Sequence, residues 1–446
     1  MKLKTFLVTA LCSSALYASD DALSDWIHSG NVYGNVKYYF INTRKDNDGA
    51  ADTSAYANTL GGQLSYTTGS LYGFDAGVTL MTTEPFALPN AAKVDASVIG
   101  NDNGVHGGDK TASISVLGRA YLNYTHNDYQ IWIGRQTPKS PLINAKDVRM
   151  IPSAVSGAQG RVLLDYGFTV TAAYLDAFKQ RTSSQFENIV KHALGDNMLA
   201  VTGKKYGYVV PVSLTWENKN FLLRLYDYYS PDFMNSIYAD AKFKDRLGSK
   251  FSYTLAVQGI SQSSIGNADT NLQKAGSISD GKKISTSMYG ALATFAYSHS
   301  KLSLAYTNVL SDDTSHDSLV LPWDGTPLFT NMITSNNLFQ SKYGSGLNAD
   351  SAYIGGTEGI KLAYSQNYNF IGLNKVSSAL STAMYKNDNF ASTQRDYNAV
   401  LSYHTNVFSL ALKGIWVYNN TGAAANGTIS QIPMLAQYRV IANYKF

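Results

Sequence analysis

Cysteine is nearly absent from this chain of 446 residues: Cys12 is the only one. A lone thiol excludes an internal disulfide and a thiolate metal site. Long hydrophobic runs are missing too. Beyond the N-terminal segment no stretch approaches the ~18 uninterrupted apolar residues that a membrane-spanning helix needs. Charge of one sign is lacking, with 36 Lys and Arg against 32 Asp and Glu. That balance does not suit a nucleic-acid binder, which concentrates basic residues. A fixed-period repeat, which a β-helix would require, is absent.

Catalytic and cofactor motifs are also missing. There is no His-Glu-x-x-His zinc motif and no Gly-x-Ser-x-Gly elbow. Gly276 to Lys283 nearly matches a phosphate loop, but Lys283 stands where Ser or Thr would hold magnesium. Asp46 to Gly49 nearly matches a calcium loop, but Arg44 stands at its first ligand position. The chain is therefore expected to be no enzyme and to hold no cofactor and no metal.

What is present is alternation. Tyr438, Val440, Ala442, Tyr444 and Phe446 fall on one strand face, and Gln437, Arg439, Ile441, Asn443 and Lys445 on the other. A free aromatic edge of this kind invites aggregation in a soluble sheet. A closed barrel in a membrane removes that hazard, because the apolar face meets lipid and the polar face meets a water-filled lumen. The mean hydropathy of −0.17 despite 44% hydrophobic residues fits the same division. Tyr, at 32 residues against 5 Trp, suits membrane interfaces, since its ring is apolar and its tip wet.

Alternating segments recur at the length of a bilayer crossing. They lie near 29–40, 60–67, 72–82, 113–126, 129–136, 157–166, 168–178, 206–217 and 220–229. They continue near 235–243, 250–260, 285–298, 301–309, 358–367, 377–386, 395–404, 407–418 and 434–446. Tight polar turns at 68–70, 126–128, 218–219, 299–300 and 405–406 alternate with long stretches near 41–59, 83–112, 137–156, 179–205, 261–284 and 310–357. The pattern predicts an all-β fold: a transmembrane antiparallel β-barrel of about 18 strands, with short periplasmic turns and long extracellular loops. Lys2, Lys4 and the apolar run from Phe6 to Leu11 predict a signal peptide over 1–18, with cleavage after Ala18 or Ala15. Residues 19–446 then form one barrel domain.

Parity nominates residues for the lumen. In 113–126, Ile114, Val116, Ala120, Leu122 and Tyr124 are assigned to lipid, which turns Arg119, Tyr121 and Asn123 inward. In 157–166, Arg161 and Asp165 are assigned inward, and in 220–229, Arg224, Tyr226 and Tyr228. Lys361 and Arg439 are inward by the same rule. Arg135 shares the parity of lipid-facing Ile131 and Ile133, so either the strand ends at Gly134 or a bulge resets the parity there, and a strand end is the favoured expectation. Loop 137–156, stiffened by Pro138, Pro141 and Pro152, is expected to fold into the pore. Lys139, Lys146 and Arg149 make it basic, and Asp147 is placed to anchor it. Arginine stays charged and holds a carboxylate with two hydrogen bonds, so a few on one wall set ion preference.

Residues 131–138, Ile-Trp-Ile-Gly-Arg-Gln-Thr-Pro, with Pro141, Asp147, Arg149, Pro152 and Gly157 following, resemble the OprD family of bacterial outer-membrane porins. Leu321 to Asn331 and the C-terminal Arg439 to Tyr444 resemble it too, in the direction of the epsilonproteobacterial major porins. The resemblance implies an eighteen-stranded channel narrowed by loops, with basic residues guiding anions or carboxylate-bearing nutrients. It implies monomers or loose homotrimers. The expected surroundings are membrane lipids and lipopolysaccharide. The strand ending at Phe446 resembles the segment read by the outer-membrane assembly machinery. A non-selective pore, or an adhesion barrel using its long surface loops, are the alternatives.

Overall fold

The computed structural model describes residues 20–46, 53–90, 93–99, 112–274, 283–334, 351–387, 390–420 and 434–446. The expected signal segment lies outside them, as do most of the two near-motifs at 46–49 and 276–283. The wall begins with β1 (Asn31–Lys45), β2 (Thr53–Thr67), β3 (Phe74–Pro85), β4 (Ile114–His126), β5 (Tyr129–Gln136) and β6 (Ala154–Leu163). It continues with β7 (Phe168–Lys179), β8 (Val210–Glu217), β9 (Phe221–Ser230), β10 (Met234–Leu247), β11 (Phe251–Ser264) and β12 (Ser285–Tyr297). It ends with β13 (Ser300–Val309), β14 (Thr357–Asn367), β15 (Val376–Asn387), β16 (Phe390–His404), β17 (Phe408–Asn420) and β18 (Leu435–Lys445). A two-residue strand, Glu187–Asn188, pairs only with the end of β7. Every long strand is antiparallel to its neighbours, and β1 pairs with both β2 and β18, so the sheet closes on itself. Closure leaves no edge, the condition for a sheet to cross lipid.

The outer face carries the aromatics of the two interfaces. At the short-turn end, Phe221 and Phe243 lie 4.8 Å apart between ring centres, and Phe74 and Tyr124 lie 4.6 Å apart. Towards the other end, Tyr397 meets Tyr418 and Trp416 meets Tyr438. Tyr444 and Tyr438 are half exposed outwards, whereas Gln437 and Arg439 are buried, as the C-terminal alternation requires.

The inner face is not uniformly wet. Towards the long-loop end, Tyr39, Ile41, Met81, Ile114 and Val116 pack inside with Val94, Val98, Ile99, Met150 and Ile151 of the loops. A second, larger apolar cluster joins Leu142, Ile143, Phe178, Tyr228 and Trp323 to short helices in the loop after β7. These are α1 (Ile189–Leu194) and α2 (Met198–Thr202). The loops thus fill the outer half of the barrel as a small core of their own.

Four expectations are corrected. Ile114 and Val116 do not face lipid; they are buried inside, because a bulge at Gly118 shifts the register against β3 and reverses parity above it. A Cβ on Gly118 would fall 2.3 Å from the Met81 sulfur, so the bulge suits glycine. The strand carrying Arg135 does not end at Gly134: pairing continues to Gln136 with no register shift, and Gly134 itself takes φ 118°. Asp165 is not on a strand; β6 stops at Leu163 and Asp165 opens a turn whose Tyr166 has φ 61°. The expected loop at 41–59 is mostly strand, since β1 reaches Lys45 and β2 starts at Thr53.

Candidate functional site

The loop between β5 and β6 covers residues 137–153 rather than the expected 137–156, because β6 already begins at Ala154, and it is held against the inner wall. Lys37 on β1 donates to the Asp147 carboxylate at 3.1 Å and to the Arg149 carbonyl at 3.0 Å. Tyr39 donates its hydroxyl to the Val148 carbonyl at 3.2 Å, and the Arg149 guanidinium reaches the Tyr39 oxygen at 3.5 Å. On the far wall the Leu142 N–H donates to the Tyr228 hydroxyl of β9 at 3.3 Å. The eighteen strands form one ring, and β9 stands half-way round it from β18, so the loop spans the lumen. Lys146 takes φ 41° at the turn, where its N–H donates to the Asn144 side chain at 2.8 Å.

On the short-turn side of this loop lies a cavity of about 880 Å³. Arg119, Tyr121 and Arg161 line it, as parity required, together with Lys139, Gln159, Tyr226 and Glu217. The Arg119 guanidinium stands 5.2 Å over the Tyr121 ring. Arg161 is exposed to the lumen. Among the described lining residues, three cations thus share this chamber with one carboxylate, Glu217.

A second basic group lies on the seam between the first and last strands. Lys37, Lys413 and Arg439 project inwards from β1, β17 and β18, and Arg149 of the loop joins them. Lys413 is within electrostatic reach of the other three. Arg439 is 1% exposed; it donates to Gln437 at 2.7 Å and to Thr334 at 2.6 Å. One nitrogen of Arg439 and Nε of Arg149 have no hydrogen-bond partner among the described residues. Lys37 and Lys413 were not singled out from sequence. Their inward parity was readable, but the register that aligns them with Arg439 was not.

The remaining candidates are engaged elsewhere. Arg224 points inwards, but Asp240 of β10 takes two hydrogen bonds from it at 2.7 and 2.8 Å. This is a satisfied pair, with little charge left to draw anions. Arg135 does not line the chamber: its guanidinium lies 4.4 Å from the Phe186 ring centre and donates to the Leu117 carbonyl at 3.1 Å. Lys361 donates to the Asn331 carbonyl of the loop after β13.

A closed eighteen-stranded barrel with interfacial aromatics and a loop-narrowed, basic lumen defines an outer-membrane porin. The description "outer membrane porin, OprD family" matches residues 24–353. The chain belongs to the OprD family and resides in the outer membrane, in contact with its lipids and lipopolysaccharide. No curated protein sequence matches it. Among solved structures it is similar to OccK8 (OprE) of Pseudomonas aeruginosa at 14% identity and a TM-score of 0.72, covering 94% of this chain and 99% of that one. It is similar to OpdK of the same organism, solved with vanillate, at 13% identity and a TM-score of 0.68, covering 94% and 99%. OccK2 (OpdF) of that organism, solved in complex with glucuronate, gives 12% identity and a TM-score of 0.67, again covering 94% and 99%.

Proposed function

We propose that this porin passes small hydrophilic solutes by passive diffusion with a preference for anions and carboxylate-bearing nutrients. The observation that carries the reading is the chamber below loop 137–153, where, among the described lining residues, Arg119, Arg161 and Lys139 are set against Glu217. Low-dielectric walls around water concentrate such fields, and arginine binds carboxylates in bidentate fashion. Tyr121 orients Arg119, and Arg149, Arg439, Lys37 and Lys413 add positive field from the seam, Lys37 and Arg439 from buried positions, with Asp147 as the loop's anchor. Arg224, Arg135 and Lys361 support the wall and loops. Vanillate and glucuronate, held by two relatives, are both carboxylates, which is consistent with this choice.

Residues 1–18 serve as a cleaved signal in this reading, 19–446 form the single barrel domain, and the assembly machinery takes the strand ending at Phe446. The test is planar-bilayer conductance of the refolded protein, with reversal potential in a salt gradient and block by small carboxylates. Arg119→Gln and Arg161→Gln should each move the reversal potential towards cation preference and weaken block. An unchanged reversal potential in the double variant would leave a non-selective pore. Absence of conductance from a folded barrel would bring forward the adhesion reading, with the long surface loops as its binding surface.

A further inference from the structure

The motif around Trp323 lies outside the chamber, yet it touches the constriction loop at three places. Trp323 is 1% exposed, and its indole donates to the Ile189 carbonyl at 2.9 Å. Its own carbonyl accepts the Asn144 N–H at 3.1 Å, and Ile143 and Asp324 form an antiparallel bridge. The next residue lies so near that a Cβ on Gly325 would fall 2.7 Å from the Leu142 carbonyl. Asp324 takes φ 59°, a conformation that Asp tolerates better than most side chains. Its carboxylate accepts the Ser153 hydroxyl at 2.6 Å and the Arg181 guanidinium on its other oxygen.

Ser153 ends the constriction loop, immediately before β6, and is fully buried. Arg181 is the second residue of the loop after β7. The Asp324 carboxylate therefore ties three loops together, holding the constriction loop at Ser153, while the Asp324 backbone bridges the same loop at Ile143. Its side chain is 9% exposed and lies outside the chamber, so it does not meet solute.

We propose that Asp324 is the positioning residue of the constriction: its charge, through Arg181 and Ser153, fixes loop 137–153 across the lumen. The bond to Arg181 is charge-assisted and shielded from water, the circumstance in which such a bond holds most strongly. The bridge at Ile143 is made by neutral backbone groups, so it is the weaker of the two ties. This inference rests on the porin reading, and comparison of each variant with the parent channel separates the two.

Asp324→Asn keeps shape and the Ser153 contact but loses the charge. In single-channel recordings its open state should become noisier, with new conductance levels above the parent's. The displaced-loop population should rise about ten-fold or more, the factor expected when one charge-assisted hydrogen bond is lost. The double variant Ile143→Cys/Asp324→Cys replaces the carboxylate with a covalent tie, since antiparallel partners lie within disulfide range. Oxidised, it should be as quiet as the parent; reduced, it should be noisy. A merely stabilising salt bridge would change the unfolding temperature and leave the open-channel noise of folded molecules unaltered. Parent-like recordings from Asp324→Asn, or noise indifferent to oxidation, would overturn the proposal. If Asp324→Asn does not fold, Ser153→Ala, which keeps the Arg181 pair, decides: added noise supports the proposal and parent-like noise overturns it.

Discussion

The Lys37 ammonium lies 3.1 Å from the Asp147 carboxylate, joining the first wall strand to the loop that crosses the lumen. The pair is asymmetric: the Lys37 side chain is 11% exposed and that of Asp147 48%. The same ammonium also holds the Arg149 carbonyl, so Lys37 serves the loop backbone as well as its charge. Asp147→Asn should therefore leave the loop in place and make the constriction more positive, raising anion preference in a salt-gradient reversal measurement. Lys37→Met should remove both contacts, lower anion preference and broaden the conductance distribution. Equal effects of the two changes would mean that the ion pair alone, and not the carbonyl contact, holds the loop.

Arg224 and Asp240 make a different kind of pair. Asp240 has a fully buried side chain and receives both guanidinium hydrogen bonds, with the Lys242 ammonium 3.7 Å away. Truncating Arg224 leaves the buried Asp240 carboxylate to the Lys242 contact, which offsets part of the roughly 3–5 kcal/mol that a fully unpaired buried charge costs. Arg224→Ala should lower the unfolding temperature of the barrel, followed by heat-dependent gel mobility, and should move the reversal potential less than Arg161→Gln does. The converse order would place Arg224 in the solute path.

Much of this was legible in the sequence because a barrel strand repeats every second residue. Arg119, Arg161, Arg224 and Arg439 all point inwards as alternation required, and the tight turn at Asn127 forms with φ 47°. Alternation failed where a residue was inserted or where an apolar side chain faces inwards. Gly118 does the first, and Ile114 and Val116 do the second by packing on the loops. No local signal separates an apolar residue facing lipid from one facing a loop core. The partition of the cations was also hidden, because whether Arg224 meets a carboxylate and Arg161 meets none among the described residues depends on the cross-strand neighbour that the register supplies.

The seam that closes the barrel runs from the Lys45 and Leu435 pair to the Asn35 and Lys445 pair and ends at Gly34. Its N–H donates to the Phe446 carbonyl at 3.0 Å, and the Phe446 N–H returns to the Gly34 carbonyl at 3.1 Å. A Cβ at position 34 would fall 2.4 Å from the Gln63 carbonyl and 2.9 Å from the Phe446 ring. Gly34→Val should reduce the yield of folded barrel in detergent refolding, with a larger loss than Gly160→Val. A Cβ at Gly160 meets nothing within 4 Å. Similar yields for the two would show that the seam accommodates a side chain.

The surface loops have a pH-sensitive tie. The hydrogen bond from Lys204 holds the Asp232 carboxyl below its ordinary value of 3.8, with a smaller contribution from the Asn267 N–H. A group whose pKa is lower folded than unfolded stabilises fully above its unfolded value, and that stability is lost as pH falls through the folded one. Hydrogen exchange of the backbone around 203–209 and 265–267, corrected for intrinsic rates, should therefore quicken below about pH 4. The effect should be modest, since Lys204 is half exposed and such pairs are screened. Asp232→Asn should show the acid behaviour already at neutral pH.

Arg439 faces opposing demands. Its guanidinium is buried, one of its nitrogens has no partner among the described residues, and Arg149 and Lys413 stand within electrostatic reach. Burying a cation beside other cations opposes folding, because both desolvation and repulsion disfavour the charge. Its hydrogen bonds to Gln437 and Thr334 offset only part of this. A glutamine can keep one such bond and removes the charge. Arg439→Gln should leave the unfolding temperature unchanged or raise it, while shifting the reversal potential towards cations and weakening carboxylate block. That combination, stability gained where selectivity is lost, would mark the charge as one retained for transport. A lower unfolding temperature with selectivity intact would instead make Arg439 a structural tie between the seam and the loop at Thr334.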